Sequence, residues 1–95
     1  MNLKKKLTWK VEWDDRARKE LRRLDPPRQK AILNYLKKRI ENSKDPKAFG
    51  KSLTSNKAGL WRYRVGIYRL IGTFDHDVFI VLVVGVEDRK EIYDS

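Results

Sequence analysis

The chain has no cysteine and a single histidine. The first absence excludes disulfides, thiolate metal sites and cysteine nucleophiles. The second excludes a multi-histidine zinc site, and no metal or other cofactor is expected. No run of about 20 apolar residues occurs, so no transmembrane helix is expected. The basic residues Lys4 to Lys6 are not followed by the apolar stretch of a signal peptide. These absences point to a cytoplasmic protein. Acidic residues are also scarce: 13 Asp and Glu stand against 23 Lys and Arg, a formal net charge of +10. A pI near 10.0 is the electrostatic footprint expected of a protein that meets a polyanion, either nucleic acid or an acidic protein; the alternative is a soluble domain with a charged surface.

The length of 95 residues suits a single domain over residues 1–95. A chain this short buries only roughly two thirds of the surface exposed when unfolded, and its 40% hydrophobic content suffices for one core. There is no internal repeat, low-complexity tract or domain linker.

The most informative stretch is Leu60 to Phe74, LWRYRVGIYRLIGTF. Trp61, Tyr63 and Val65 alternate with Arg62 and Arg64. A strand has a side-chain period of two, so the apolar residues share one face and the two guanidinium groups the other. Gly66 and Ile67 allow a tight reversal. Tyr68, Leu70 and Phe74 then alternate with Arg69, Ile71 and Thr73. Two antiparallel strands would hold Arg62, Arg64 and Arg69 on a rigid sheet. Arginine stays charged and offers phosphate a planar fork of donors, so the pattern points to a phosphate or nucleic-acid site. The alternative is a solvated sheet face laced with salt bridges.

Around this hairpin the chain reads β-α-α-β-β-β. Leu7, Trp9, Val11 and Trp13 alternate with polar residues as a first strand. Asp14 or Asp15 caps a short helix with Ala17, Leu21 and Leu24 on its inner stripe and Arg16, Arg18, Lys19, Arg22 and Arg23 outside. Asp25-Pro26-Pro27 ends it and starts a second helix, with Asp25 as cap, running to about Asn42. Its inner stripe holds Ile32, Tyr35, Leu36, Arg39 and Ile40. Ser43 to Gly59 reads as a long loop, a hint of function or mobility. Asp75-His76-Asp77 is a turn, with His76 a surface residue. The unbroken apolar run Val78 to Val84 marks a central strand covered on both sides. The expected fold class is therefore α+β: an antiparallel meander sheet with an N-terminal helical hairpin packed on it. Trp9, Trp13 and Trp61 are assigned to the core. Tyr63 and Tyr68 are core or rim aromatics.

A helical hairpin, a loop with Gly50-Lys51, then GLWRYRVGIYRLI, an apolar strand and a closing DRKEIY together resemble the RelE/ParE superfamily of bacterial toxins. The resemblance runs from Leu7 to Tyr93 and is nearest to the RelE branch. It implies a RelE-like fold and a toxin of a type II toxin–antitoxin pair. RelE-like toxins are metal-independent endoribonucleases that cleave messenger RNA in the ribosomal A site; the ParE branch acts on DNA gyrase. The implied partners are a RelB-like antitoxin that wraps the toxin, the ribosome and mRNA. Operator DNA would be met only as a complex with antitoxin, and no membrane is involved.

Carried over by position, the resemblance makes Arg62 and Arg64 ligands of the scissile phosphate that help activate the 2′-hydroxyl. Arg69 stabilises transition-state charge. Arg89 and Tyr93 complete the catalytic set, with Tyr93 stacking on or orienting a base. Lys51 and Lys57 would grip RNA from the loop, or simply keep it soluble. Lys4 to Lys6 and the basic helix face would contact ribosomal RNA or an acidic antitoxin segment. The sequence departs from the family at Glu87 and Asp88, where active members carry a histidine or arginine as proton donor. A carboxylate serves as general acid only with a raised pKa, and neighbouring arginines lower it. A ParE-like poison of gyrase and a weakened toxin that keeps antitoxin and operator binding are the alternatives.

Overall fold

The structure is a computed structural model that describes residues 9–53 and 59–86. Expectations for Lys4 to Lys6, Leu7, Lys57, Glu87, Asp88, Arg89 and Tyr93 lie outside the described residues. Strand β1 spans Lys10–Trp13, with Val11 and Trp13 half-buried and Lys10 and Glu12 exposed. It hands over to helix α1, Asp15–Arg22, through Asp14, whose carboxylate accepts the backbone N–H of Arg16 at 3.2 Å. That bond satisfies one of the donors a helix start leaves open. Ala17 and Leu21 are buried, and Arg16, Arg18, Lys19, Arg22 and Arg23 face solvent.

Helix α2, Pro26–Leu36, begins with proline in its first turn. Asp25 does not cap it with its side chain as expected. The carboxylate instead accepts both short contacts from Arg28 Nη1, each 3.2 Å. Its main-chain carbonyl takes the N–H groups of Arg28 and Gln29 at 3.0 and 3.1 Å. Pro27 has no N–H to offer at a position where a cap finds its donor. The two helices are tied by Gln29, whose Nε2 donates to the Leu24 carbonyl at 2.6 Å. The second helix keeps its expected length but changes hydrogen-bond pattern. Lys37–Glu41 forms a π turn, closed by the Asn42 N–H on the Lys37 carbonyl at 3.0 Å.

The region 43–59 is not all loop. A 3₁₀ turn spans Pro46–Phe49, and Lys51–Ser52 forms a short strand, β2. The hairpin follows as β3, Leu60–Val65, and β4, Tyr68–Asp75. Gly66 at φ +60° makes the reversal between them, a left-handed conformation that glycine adopts without steric cost. The last strand, β5, runs Val78–Val86. The sheet order is β1-β5-β4-β3-β2. β3, β4 and β5 form the expected antiparallel meander, while β1 lies parallel to β5. The helical hairpin carries the chain from β1 across one sheet face to β2 at the far edge, and the strands return to β5 beside β1.

The core lies between the helices and one sheet face. Ala17, Leu21, Ile32, Leu36 and Ile40 meet Tyr63, Tyr68, Leu70, Phe79, Val81 and Val84. Trp9, Trp13 and Trp61 pack around this cluster. β5 is an interior strand, yet it is not buried on both faces. Phe79, Val81 and Val84 are buried, whereas Val78, Ile80, Leu82 and Val83 are half-buried. The register skips Leu82 between the Gly72–Val81 and Ile71–Val83 pairs. This bulge switches the inward positions from odd to even numbers, so both phases of the run must be apolar. No helix among the described residues is long and apolar enough to cross a membrane.

Candidate functional site

Arg62 and Arg64 lie two apart on β3, so both point away from buried Tyr63. The ladder then adds two more cations. Lys51 of β2 is paired with Arg62, and Arg69 of β4 with Arg64. Residues directly opposite each other share a sheet face. Lys51, Arg62, Arg64 and Arg69 therefore form one contiguous basic patch across three strands, on the face opposite the helices. The Cβ atoms of such opposed residues are about 5 Å apart, near enough for their long side chains to converge on one phosphate. Arg64 is exposed, and Arg62 and Arg69 are half-buried. Among the described residues, Arg62 has no hydrogen-bond or ion-pair partner. A half-buried guanidinium without a partner costs stability, and an anion bound there would offset that cost.

The inner face of β3 holds the patch in place. The Tyr63 hydroxyl donates to the Pro46 carbonyl at 2.7 Å. Gly50 lies directly on the Tyr63 ring: a Cβ at position 50 would come within 2.6 Å of Cζ. Tyr63 thus clamps the 3₁₀ turn and the glycine that lead into Lys51. Phe79 meets the Tyr63 ring edge-on at 5.3 Å, and Trp61 meets Phe74 in the same manner at 6.2 Å. The Lys47 ammonium sits 5.3 Å from the Trp61 and Phe74 ring centres. Burial pushes the Tyr63 phenol far above its ordinary pKa, with Tyr35 and Asp45 adding to the effect. Burial also raises Tyr35, against an opposing pull from Arg39. Both phenols are kept as neutral hydroxyls.

Phe49, Lys51, Arg62 and Arg64 line a cleft of about 130 Å³. A separate apolar hollow of about 260 Å³ lies under the hairpin turn, lined by Arg28, Ile32, Val65, Ile67 and Tyr68. Among the described residues no three His, Cys, Asp or Glu side chains come together as a metal site. His76 occupies the exposed turn after β4 at φ 58°, paired with the Asp75 carboxylate at 2.8 Å. It lies at the opposite end of β4 from Arg69. Of the residues singled out from sequence, the sheet brings together Lys51, Arg62, Arg64 and Arg69; Lys57, Arg89 and Tyr93 fall outside the described residues. Sequence reasoning missed Phe49. Its one signal is a lone aromatic within a polar segment, next to Gly50-Lys51.

A family model described as the ParE toxin of the parDE type II toxin–antitoxin system matches residues 11–93. The chain belongs to the RelE/ParE toxin superfamily. Toxin RelG of Mycobacterium tuberculosis is 29% identical over 87 residues, which cover 92% of this chain and 98% of that protein. The toxin–antitoxin complex RelBE2 from the same organism matches with a TM-score of 0.70 at 28% identity, covering 83% of this chain and 98% of the matched one. The isolated Escherichia coli RelE toxin matches with a TM-score of 0.68 at 24% identity, over 90% and 92% of the two chains; at that identity the likeness is one of fold. The α+β arrangement of two helices on a five-stranded sheet is thus the RelE-like fold, and the protein is a type II toxin of this superfamily.

Proposed function

We propose that this toxin is a ribosome-dependent endoribonuclease that cleaves mRNA in the A site. The observation that carries the proposal is the patch of Lys51, Arg62, Arg64 and Arg69 on one rigid sheet face. RNA brings its own nucleophile. The 2′-oxygen attacks the adjacent phosphorus and gives its proton to solvent, and the P–O5′ bond breaks as O5′ takes a proton from solvent, leaving a 2′,3′-cyclic phosphate and a 5′-hydroxyl. The protein must align that oxygen and stabilise the charge that grows on the phosphoryl oxygens. Arg62 and Arg64 hold the scissile phosphate, Arg69 takes up transition-state charge, and Lys51 binds the adjoining backbone. Arg89 and Tyr93 complete the set, Tyr93 against a base, and Lys57 binds the strand. Glu87 and Asp88 replace the usual proton donor. General acid–base help is worth about 10²- to 10⁴-fold, so the departure slows cleavage and spares phosphate binding. No metal or cofactor takes part.

The antitoxin partner is RelB-like, in keeping with the toxin–antitoxin complex among the structural relatives. The toxin works in the cytoplasm, where ribosomes are. The test is cleavage of mRNA on programmed ribosomes by antitoxin-free protein, with an Arg62→Ala/Arg69→Ala double variant beside it. A-site cleavage that the folded double variant loses supports the proposal; cleavage retained by that variant sinks the role given to the patch. The second reading is a ParE-like poison of DNA gyrase. It is favoured by the family model over residues 11–93 and by Glu87 and Asp88. Absence of mRNA cleavage together with inhibited gyrase supercoiling would select it. Loss of both activities, with antitoxin and operator binding kept, would mark a weakened toxin.

A further inference from the structure

The cleft beside the arginine patch has an aromatic wall that the sequence did not advertise. Phe49 is 45% exposed although it is one of the larger apolar side chains. It shares its cleft with Lys51, Arg62 and Arg64. Its position is not that of a loose loop residue. It closes the 3₁₀ turn whose first carbonyl is held by the buried Tyr63 hydroxyl, and the next residue, Gly50, is pressed on the Tyr63 ring. The Arg39 guanidinium sits 4.7 Å from the Phe49 ring centre. Arg39 itself is held in the π turn beside buried Ile40. A fixed, partly exposed aromatic flanked by a guanidinium, opening into a cleft of phosphate-binding cations, has the two components by which proteins hold single strands. The cations track the backbone, and the ring and guanidinium offer a stacking platform that accepts any base.

We propose that Phe49, with Arg39 against it, forms a base-stacking subsite beside the phosphate cleft. It takes a nucleobase of a single-stranded nucleic acid whose backbone lies on Lys51, Arg62 and Arg64. This inference rests on the reading of the patch as a nucleic-acid site and adds a second contact, to a base, within the same cleft. Stacking is tolerant of base identity, so the subsite adds affinity and fixes the strand's register; it does not select sequence.

The test is direct binding of a fluorescent 2′-deoxy pentanucleotide, whose sugars lack the attacking hydroxyl, to the full chain and its variants. Abasic sites are introduced at each position in turn. Phe49→Ala should weaken binding of the intact strand roughly 5- to 150-fold, the range that base–aromatic stacking supplies. Phe49→Trp should restore it and Phe49→Leu should not. At one abasic position the Phe49→Ala effect should vanish, while Arg62→Ala should weaken intact and abasic strands alike. Full affinity in Phe49→Ala or in Phe49→Leu overturns the subsite, as does an equal loss with every abasic strand. Failure of the wild-type chain to bind the strand also overturns it. That failure is separable from the nuclease proposal, because mRNA cleavage on ribosomes is read independently.

Discussion

Tyr63 is the residue on which both faces of β3 depend. Its ring fills the core against Phe79, and its hydroxyl reaches the Pro46 carbonyl at 2.7 Å. Removing that hydroxyl leaves a carbonyl without its buried donor. Tyr63→Phe should therefore cost about 1–2 kcal/mol at neutral pH and loosen the turn that delivers Phe49 and Lys51. The pH dependence follows from the raised pKa of the phenol. A group whose pKa is higher in the fold contributes stability that is complete below its unfolded value of about 10 and is lost as pH rises beyond it. Urea denaturation at pH 7 and above pH 10 should show the wild type losing stability over this interval, with a smaller loss in Tyr63→Phe. Equal alkaline losses would exclude Tyr63 as the source.

At the level of elements, one carboxylate reinforces the apolar packing that joins α1 to β5. The bulge at Leu82 disturbs the ladder, and the Val84 N–H just beyond it is taken by Glu20 Oε1 at 2.9 Å. An unpaired main-chain donor at a partly buried position is costly. Glu20→Ala should lower stability by about 1–3 kcal/mol, while Glu20→Gln, which keeps an accepting oxygen, should recover most of it. The midpoint of urea unfolding measures both. The same bulge precedes Gly85, which pairs with Arg69. The alanine variant should consequently also weaken single-strand binding, more than an unrelated surface change of equal stability cost. An unaltered affinity would separate the bulge from the patch.

For the whole molecule, the net charge of +10 is organised by the fold. Arg16, Arg18, Lys19, Arg22 and Arg23 cover the outside of α1, and Lys51, Arg62, Arg64 and Arg69 occupy the opposite sheet face. Each phosphate neutralised on a single strand contributes a slope of about −0.7 in log affinity against log salt. Engagement of all four sheet cations would give a slope of roughly −3, and Arg62→Ala should flatten it by about 0.7. A titration over a range of salt concentrations tests this with the pentanucleotide. A flat profile would point to a protein target reached through apolar contacts.

The amino-acid sequence by itself determined the parts governed by short-range periodicity. The alternation of Leu60–Val65 separates Tyr63 from Arg62 and Arg64 whatever surrounds them, because a strand repeats every two residues. The helical stripes, the Asp14 cap and the Gly66 reversal are equally local. The Asp25 side-chain cap failed because it depended on which donor a second proline left available. Tertiary structure alone decided the pairings between distant segments. Nothing local marks Lys51–Ser52 as a strand; those residues become one by hydrogen-bonding to β3, with Tyr63 holding the turn before them. Nor does periodicity show that β1 runs parallel to β5, or that the β5 run is apolar on both phases because a bulge exchanges its faces. The sequence supplied three arginines on two strands. Only cross-strand register joined them with Lys51 into one patch and set Phe49 at its edge, since register is a property of paired segments and not of either one alone.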